Sequence, residues 1–168
     1  MNDNIVADVI KDIENNITTP NITNQVNLQI RVRYGECDAQ QVVFNARYAD
    51  YADLAATEYI RALIGQHQHL IDAGYDNQVV SLHIDWFASA AFDDVLNLAV
   101  HVGHIGNTSF QLVTQCSRIN NEGKLEPIAN MKTTYVIVDA STFTKAKIPP
   151  LLLENFARSF SVSVDQAG

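Results

Sequence analysis

Tyr48, Tyr51, Ala52, Ala55, Tyr59, Ala62 and Leu63 recur at the spacing of a single helical face that ends near Gly65. The alanines of this stripe permit close approach and its tyrosines supply broad apolar rings, so it predicts a long helix pressed onto a sheet. Both flanks of the stripe supply strands. Before it, Val26, Leu28, Ile30, Val32 and Tyr34 alternate with Asn27, Gln29, Arg31 and Arg33, the period of a half-buried strand. After it, residues 79–88, 95–103, 109–119 and 129–138 read as strands separated by turn-prone stretches such as Asn120-Asn121-Glu122-Gly123. The order predicts an α+β domain whose central helix lies across one antiparallel sheet.

The ends of the chain add two shorter helices. Val6, Ile10, Ile13 and Ile17 keep helical spacing until Thr18-Thr19-Pro20-Asn21 breaks it, so residues 1–24 read as an amphipathic helix and linker. Residues 25–168 then form one domain, because 168 residues at 47% hydrophobic content suffice for a single substantial core. Pro149 and Pro150 precede a predicted C-terminal helix over residues 151–160. A single sheet leaves edges and one face to cover, which predicts a homodimer or homotetramer with ligand clefts between subunits.

Charge and cysteine usage narrow the partners. A formal net charge of −8 offers no basic stripe to a phosphate backbone, which argues against nucleic acid. Cys37 and Cys116 have no CxxC spacing, so neither a disulfide framework nor a zinc site is indicated, and a reducing compartment fits. The first residues lack a basic, then apolar, leader pattern, and no run approaches the ~18 apolar residues of a membrane span. The expectation is a cytoplasmic protein with no membrane partner.

The chemistry concentrates where the first strand passes into the helix. This stretch holds the acidic pair Glu36 and Asp38, the run Val42-Val43-Phe44, and Asn45 and Tyr48 at the start of the helical stripe. Asp93-Asp94-Val95-Leu96 opens a later strand, and the element order continues over roughly residues 25–160. Together these features resemble the hotdog-fold acyl-CoA thioesterases, a family that includes 4-hydroxybenzoyl-CoA thioesterase of the Asp-dependent type and small bacterial acyl-CoA thioesterases. The resemblance implies a hotdog fold, a sheet wrapped around a long central helix, with the N-terminal helix as an addition. It also implies hydrolysis of an acyl-CoA to free acid and CoA, with no metal and no cofactor beyond the CoA of the substrate.

By that resemblance Asp38 takes the position of the catalytic aspartate and Asn45 that of the residue whose backbone N–H polarises the thioester carbonyl. Physical chemistry agrees, since a carboxylate ahead of a helix N-terminus can face a carbonyl held against free N–H groups. Asp38 can serve as nucleophile or as general base toward water, and the residues leave both routes open. On residue type alone it reads as a helix cap or the acceptor of an Asx turn, and Asn45 as a plain cap. Gln41 stands where many relatives have glycine, so the backbone there differs or Gln41 itself lines the pocket. Val43 replaces the histidine that hotdog hydratases carry, which disfavours dehydratase chemistry.

The remaining candidates line the expected cleft. Tyr48 helps to close it, with Tyr51 and Tyr59 nearby. Glu58 lies on the flank of the helical stripe, whereas Asp53 falls opposite the stripe and reads as solvated. His83 shares a strand face with Ser81 and Asp85 and is a candidate for substrate contact, although a strand histidine is more often structural. Arg118, Lys132, Lys145 and Lys147 are the cations available to CoA phosphates. Two alternatives are a non-catalytic acyl-CoA binding module on the same scaffold and an acyl-carrier-protein thioesterase, the latter disfavoured by the net negative charge.

Overall fold

A computed structural model describes residues 24–157 and 160–165. The predicted N-terminal helix lies outside the described residues. The chain runs through β1 (Asn24–Arg31), a 3-10 turn (Tyr34–Glu36), α1 (Arg47–Ile64), α2 (His67–Asp72), β2 (Tyr75–Trp86), β3 (Val95–Ile105), β4 (Ser109–Ile119), β5 (Leu125–Asp139), α3 (Pro150–Phe156) and β6 (Phe160–Asp165). The strands form one sheet in the order β2-β5-β4-β3-β1-β6. Every pairing is antiparallel except β1 with β6, which is parallel.

Register explains where the core sits. Leu28 lies opposite Leu98, Leu98 opposite Cys116 and Cys116 opposite Ala129, so one row of buried side chains crosses four strands on the face that meets α1. Because side chains alternate along a strand, that register turns Asn27, Asn97, Gln115 and Asn130 to the other face. On α1 the buried arc holds Tyr48, Tyr51, Ala52, Ala55, Ala56, Tyr59, Ile60, Leu63 and Ile64. Ala62 is exposed, contrary to the predicted stripe, and Ala56, Ile60 and Ile64 are buried in addition. The arc is displaced because α3 packs beside α1 and covers a second flank, with Phe156 against Phe110 at a centroid distance of 5.2 Å. Gly65 ends the helix at φ 84, a left-handed conformation that glycine adopts without strain.

Two ends differ from the sequence expectation. The strand ends at Arg31, the alternation persists through buried Val32, and the 3-10 turn that follows leaves Tyr34 82% exposed instead of on the buried face. The C-terminal helix closes at Phe156, and Phe160 begins a sixth strand rather than ending the helix. The sheet is thus wider than predicted by one parallel edge strand.

Candidate active site

The residues between β1 and α1 fold into a small bridged loop. Cys37 and Val43 form an isolated antiparallel bridge, the Asp38 N–H donates to the Val42 carbonyl at 2.9 Å, and the Gln41 N–H donates to the Asp38 carbonyl at 2.9 Å. Asp38 to Gln41 is therefore a turn that ends in a left-handed residue, since Gln41 has φ 65. The loop is tied to the β2–β3 connection through the Val43 N–H to the Ala90 carbonyl at 2.8 Å and a bridge between Val42 and Ala91. Across the gap Asp94 receives the Ala91 N–H at 2.8 Å, which fixes the opposite side.

These ties bound a cleft of about 420 Å³. Asp38, Val43, Phe44, Asn45 and Tyr48 line one side, and Trp86 to Ser89 line the other. The Asp38 carboxylate oxygen Oδ1 accepts the Gln40 N–H at 2.8 Å, an Asx turn, while Oδ2 has no partner among the described residues. The turn role and the cleft position coexist: one oxygen orients the carboxylate and the other is available. Helix α1 begins beside it with a tight first turn, in which the N–H groups of Arg47, Tyr48 and Ala49 bond the carbonyls of Phe44, Asn45 and Ala46. The preceding N–H groups of Asn45 and Ala46 have no acceptor among the described residues. Ala46 occupies the cap position and no side chain caps the helix, so Asn45 is not a side-chain cap. Free N–H groups at the positive end of an 18-residue helix form a site for an oxygen that gains negative charge.

Tyr48 is buried and closes the floor of the cleft. Its ring meets Trp86 edge-on at 6.3 Å and Tyr51 at 5.7 Å, and the Ala90 backbone hydrogen-bonds its hydroxyl. Burial pushes that hydroxyl up to about 12, so it stays protonated across the physiological range. Glu36 turns away from the cleft: its carboxylate accepts the Arg33 N–H at 2.7 Å and the Tyr51 hydroxyl at 3.1 Å. Burial, and then the Glu36 charge, raise the Tyr51 hydroxyl well above the usual range.

Gln41, Glu58 and His83 are not among the residues lining this cleft. The left-handed turn leaves the Gln41 side chain exposed. Glu58, 8% exposed, lies more than three turns along α1 from Asn45 and pairs with Arg61. His83 sits on the sheet face opposite α1, across from Lys132, with Nε2 3.0 Å from Asp85 Oδ1. Conversely, Gln40 and the segment from Trp86 to Ser89 line the cleft without having been singled out. A large aromatic at the end of a strand, on the face opposite His83, was the available signal for Trp86. Arg118 bonds both Asp94 and Glu126, so its charge is already matched twice, and neither it nor Lys132, Lys145 or Lys147 lines the cleft. Among the described residues no cluster of His, Cys, Asp and Glu can hold a metal ion, and no helix is long and apolar enough to cross a membrane.

The chain is similar to several proteins named as thioesterases. Over 85 residues the chain is 34% identical to the acyl-CoA thioesterase YbgC of Haemophilus influenzae, covering 50% of this chain and 62% of that protein, less than two thirds of its length. Over 127 residues it is 26% identical to the acyl-CoA thioester hydrolase YbgC of Escherichia coli, covering 76% of this chain and 92% of the relative. Among solved structures, a mutant 4-hydroxybenzoyl-CoA thioesterase complexed with 4-hydroxybenzoyl-CoA superposes with a TM-score of 0.74 at 19% identity, covering 80% of this chain and 99% of the other. The 4-hydroxybenzoyl-CoA thioesterase of Pseudomonas sp. strain CBS-3 gives 0.70 at 21% identity, covering 79% and 99%. These structures share the hotdog architecture that the sequence resemblance implied. Residues 32–156 match the family described as the thioesterase-like superfamily, and to that family the chain belongs.

Proposed function

We propose that the protein hydrolyses an acyl-CoA thioester at Asp38, releasing a free acid and CoA. The observation that carries this reading is the pairing, in one cleft, of an Asp38 oxygen left unbonded with Asn45, whose N–H and that of the next residue, Ala46, are open. A thioester carbonyl oxygen set against those N–H groups gains stabilisation as it becomes an oxyanion. Its carbon then meets the Asp38 carboxylate or a water that Asp38 deprotonates. In either route the C–S bond breaks and CoA leaves as thiolate, which takes up a proton. By the nucleophilic route a mixed anhydride forms and water hydrolyses it. The reaction needs no redox step and no metal.

The active unit we propose is a homodimer joined along β2. That strand is one edge of the sheet, pairs among the described residues only with β5, contains neither proline nor lysine, and exposes Val79, Val80, Leu82 and Trp86. Antiparallel pairing of two such edges about a two-fold axis covers them and brings the start of the partner's β2 toward the Trp86 end of the cleft.

The test is release of free thiol from short, long and aromatic acyl-CoAs. Asp38→Asn should lower kcat/KM by roughly 10²–10⁴ while the protein stays folded. Label found in the Asp38 carboxylate after a single turnover in oxygen-18 water identifies the nucleophilic route, with water attacking the Asp38 carbonyl of the anhydride. Thiol release at the buffer rate, or an unimpaired Asp38→Asn variant, refutes the proposal. Acyl-CoA binding without release returns the non-catalytic alternative.

A further inference from the structure

A second cavity, of about 800 Å³, lies between α1 and the end of β1. Its size falls within the range of small-molecule sites; Ile30, Val32 and Leu54 give it an apolar side, and the charged Arg31, Arg33, Glu36 and Asp93 line the rest with exposed aromatic rings. Tyr51 lines this cavity and Tyr48 lines the Asp38 cleft, and their rings meet edge to face at 5.7 Å and 72°. One pair of aromatic rings therefore stands between the two spaces. Tyr51 is held at both ends: Tyr48 packs on its ring, and Glu36 Oε2 accepts its hydroxyl at 3.1 Å. Glu36 is fixed in turn by the Arg33 N–H and guanidinium, and its own carbonyl accepts the Phe44 N–H at 2.9 Å. The hydrolytic chemistry uses none of these contacts.

We propose that Tyr51, locked onto Glu36, is a specificity-determining residue that walls the apolar side of this compartment, Ile30, Val32 and Leu54, off from the Asp38 cleft. It limits the acyl group to one short or compact enough to end at the Tyr48 and Tyr51 rings. This inference rests on the thioesterase reading. Removing the wall joins the cleft to a compartment able to bury additional methylenes, each of which strengthens binding of a longer chain.

The experiment compares kcat/KM for dodecanoyl-CoA and butyryl-CoA in the wild type, Tyr51→Ala, Tyr51→Phe and the double variant Tyr51→Ala/Leu54→Phe. The long-to-short ratio should rise in Tyr51→Ala by about tenfold for every two methylenes newly buried. Tyr51→Phe, which keeps the ring but releases it from Glu36, should show a smaller rise, and refilling the compartment from Leu54 should reverse the effect. Tyr51→Leu, closer in volume, replaces Tyr51→Ala if the latter does not fold. Affinity for the non-hydrolysable thioether S-dodecyl-CoA gives a second readout and should rise in parallel. A folded Tyr51→Ala or Tyr51→Leu protein with the wild-type ratio and wild-type thioether affinity overturns the inference. A wild type inert toward every thioester overturns the hydrolase reading instead, and the thioether comparison then decides the role of Tyr51 alone.

Discussion

Replacing Gln41 by glycine is expected to stabilise the protein although it removes a side chain. Gln41 has φ 65, where a residue with a Cβ costs roughly 1–2 kcal/mol relative to glycine. Its side chain is exposed, so little packing is lost on truncation, and the turn bond from its N–H to the Asp38 carbonyl is a backbone bond that survives. Against this gain stands the larger conformational freedom of glycine in the unfolded chain, about 0.4–1 kcal/mol. The net is a stabilisation of roughly 0.5–1 kcal/mol, or a rise in Tm of about 1–4 °C for a domain of this size. Gln41→Val should move in the opposite direction, because a β-branched residue tolerates a left-handed backbone least. Thermal and urea unfolding of the three proteins measure this directly. Thiol release adds a second criterion, since Gln41 lies outside the cleft lining and Gln41→Gly should keep the wild-type kcat/KM. Destabilisation by glycine refutes the strain argument, and a selective loss of activity in a stabilised variant places Gln41 back in the pocket.

Two further outcomes follow from other parts of the molecule. His101 has its Nδ1 buried without a partner among the described residues, and burial lowers its pKa from 6.5. The unfolded chain then binds the proton first, so Tm should fall as pH drops below about 6.5 toward the lower folded value. His101→Gln should flatten that part of the profile, and an unchanged slope excludes His101 as its source. Val80, 59% exposed at the bulge of β2, sits near the proposed two-fold axis, so Val80→Lys brings like charges together. Sedimentation velocity should show a wild-type dimer shifted toward monomer by the substitution, and a wild type that sediments as a monomer refutes pairing along β2.

The central helix and the strands after it were legible because each has a strong local period, whereas their order was not: consecutive pairing holds for β3, β4 and β5, but β2 crosses to the far edge and pairs with β5. β4 falls within the predicted residues, whereas β2 and β5 extend beyond theirs because pairing in a sheet recruits residues whose own pattern is weak. β6 was not anticipated, and its first residue, Phe160, was placed at a helix end, since its partner β1 lies far away in sequence and a parallel edge pairing leaves no turn signature. In the site, Asp38 and Asn45 stand out as a carboxylate and an amide just ahead of a helix. The segment from Trp86 to Ser89 does not, because it becomes a wall only when bonds from Val42 and Val43 draw the β2–β3 connection across. Glu58 and His83 carried residue types that suit a site, but helix phase and strand pleat turn them toward Arg61 and Asp85.

The bridge between Cys37 and Val43 makes the segment around Asp38 a miniature hairpin rather than a free loop. Its consequence is entropic. Residues held by their own ladder and by the β2–β3 connection lose their conformational freedom when the chain folds, so substrate binding need not order them. The carboxylate is pre-organised before any ligand arrives, and on the proposed reading the binding energy that a mobile loop consumes on settling is left to act on the acyl group and CoA.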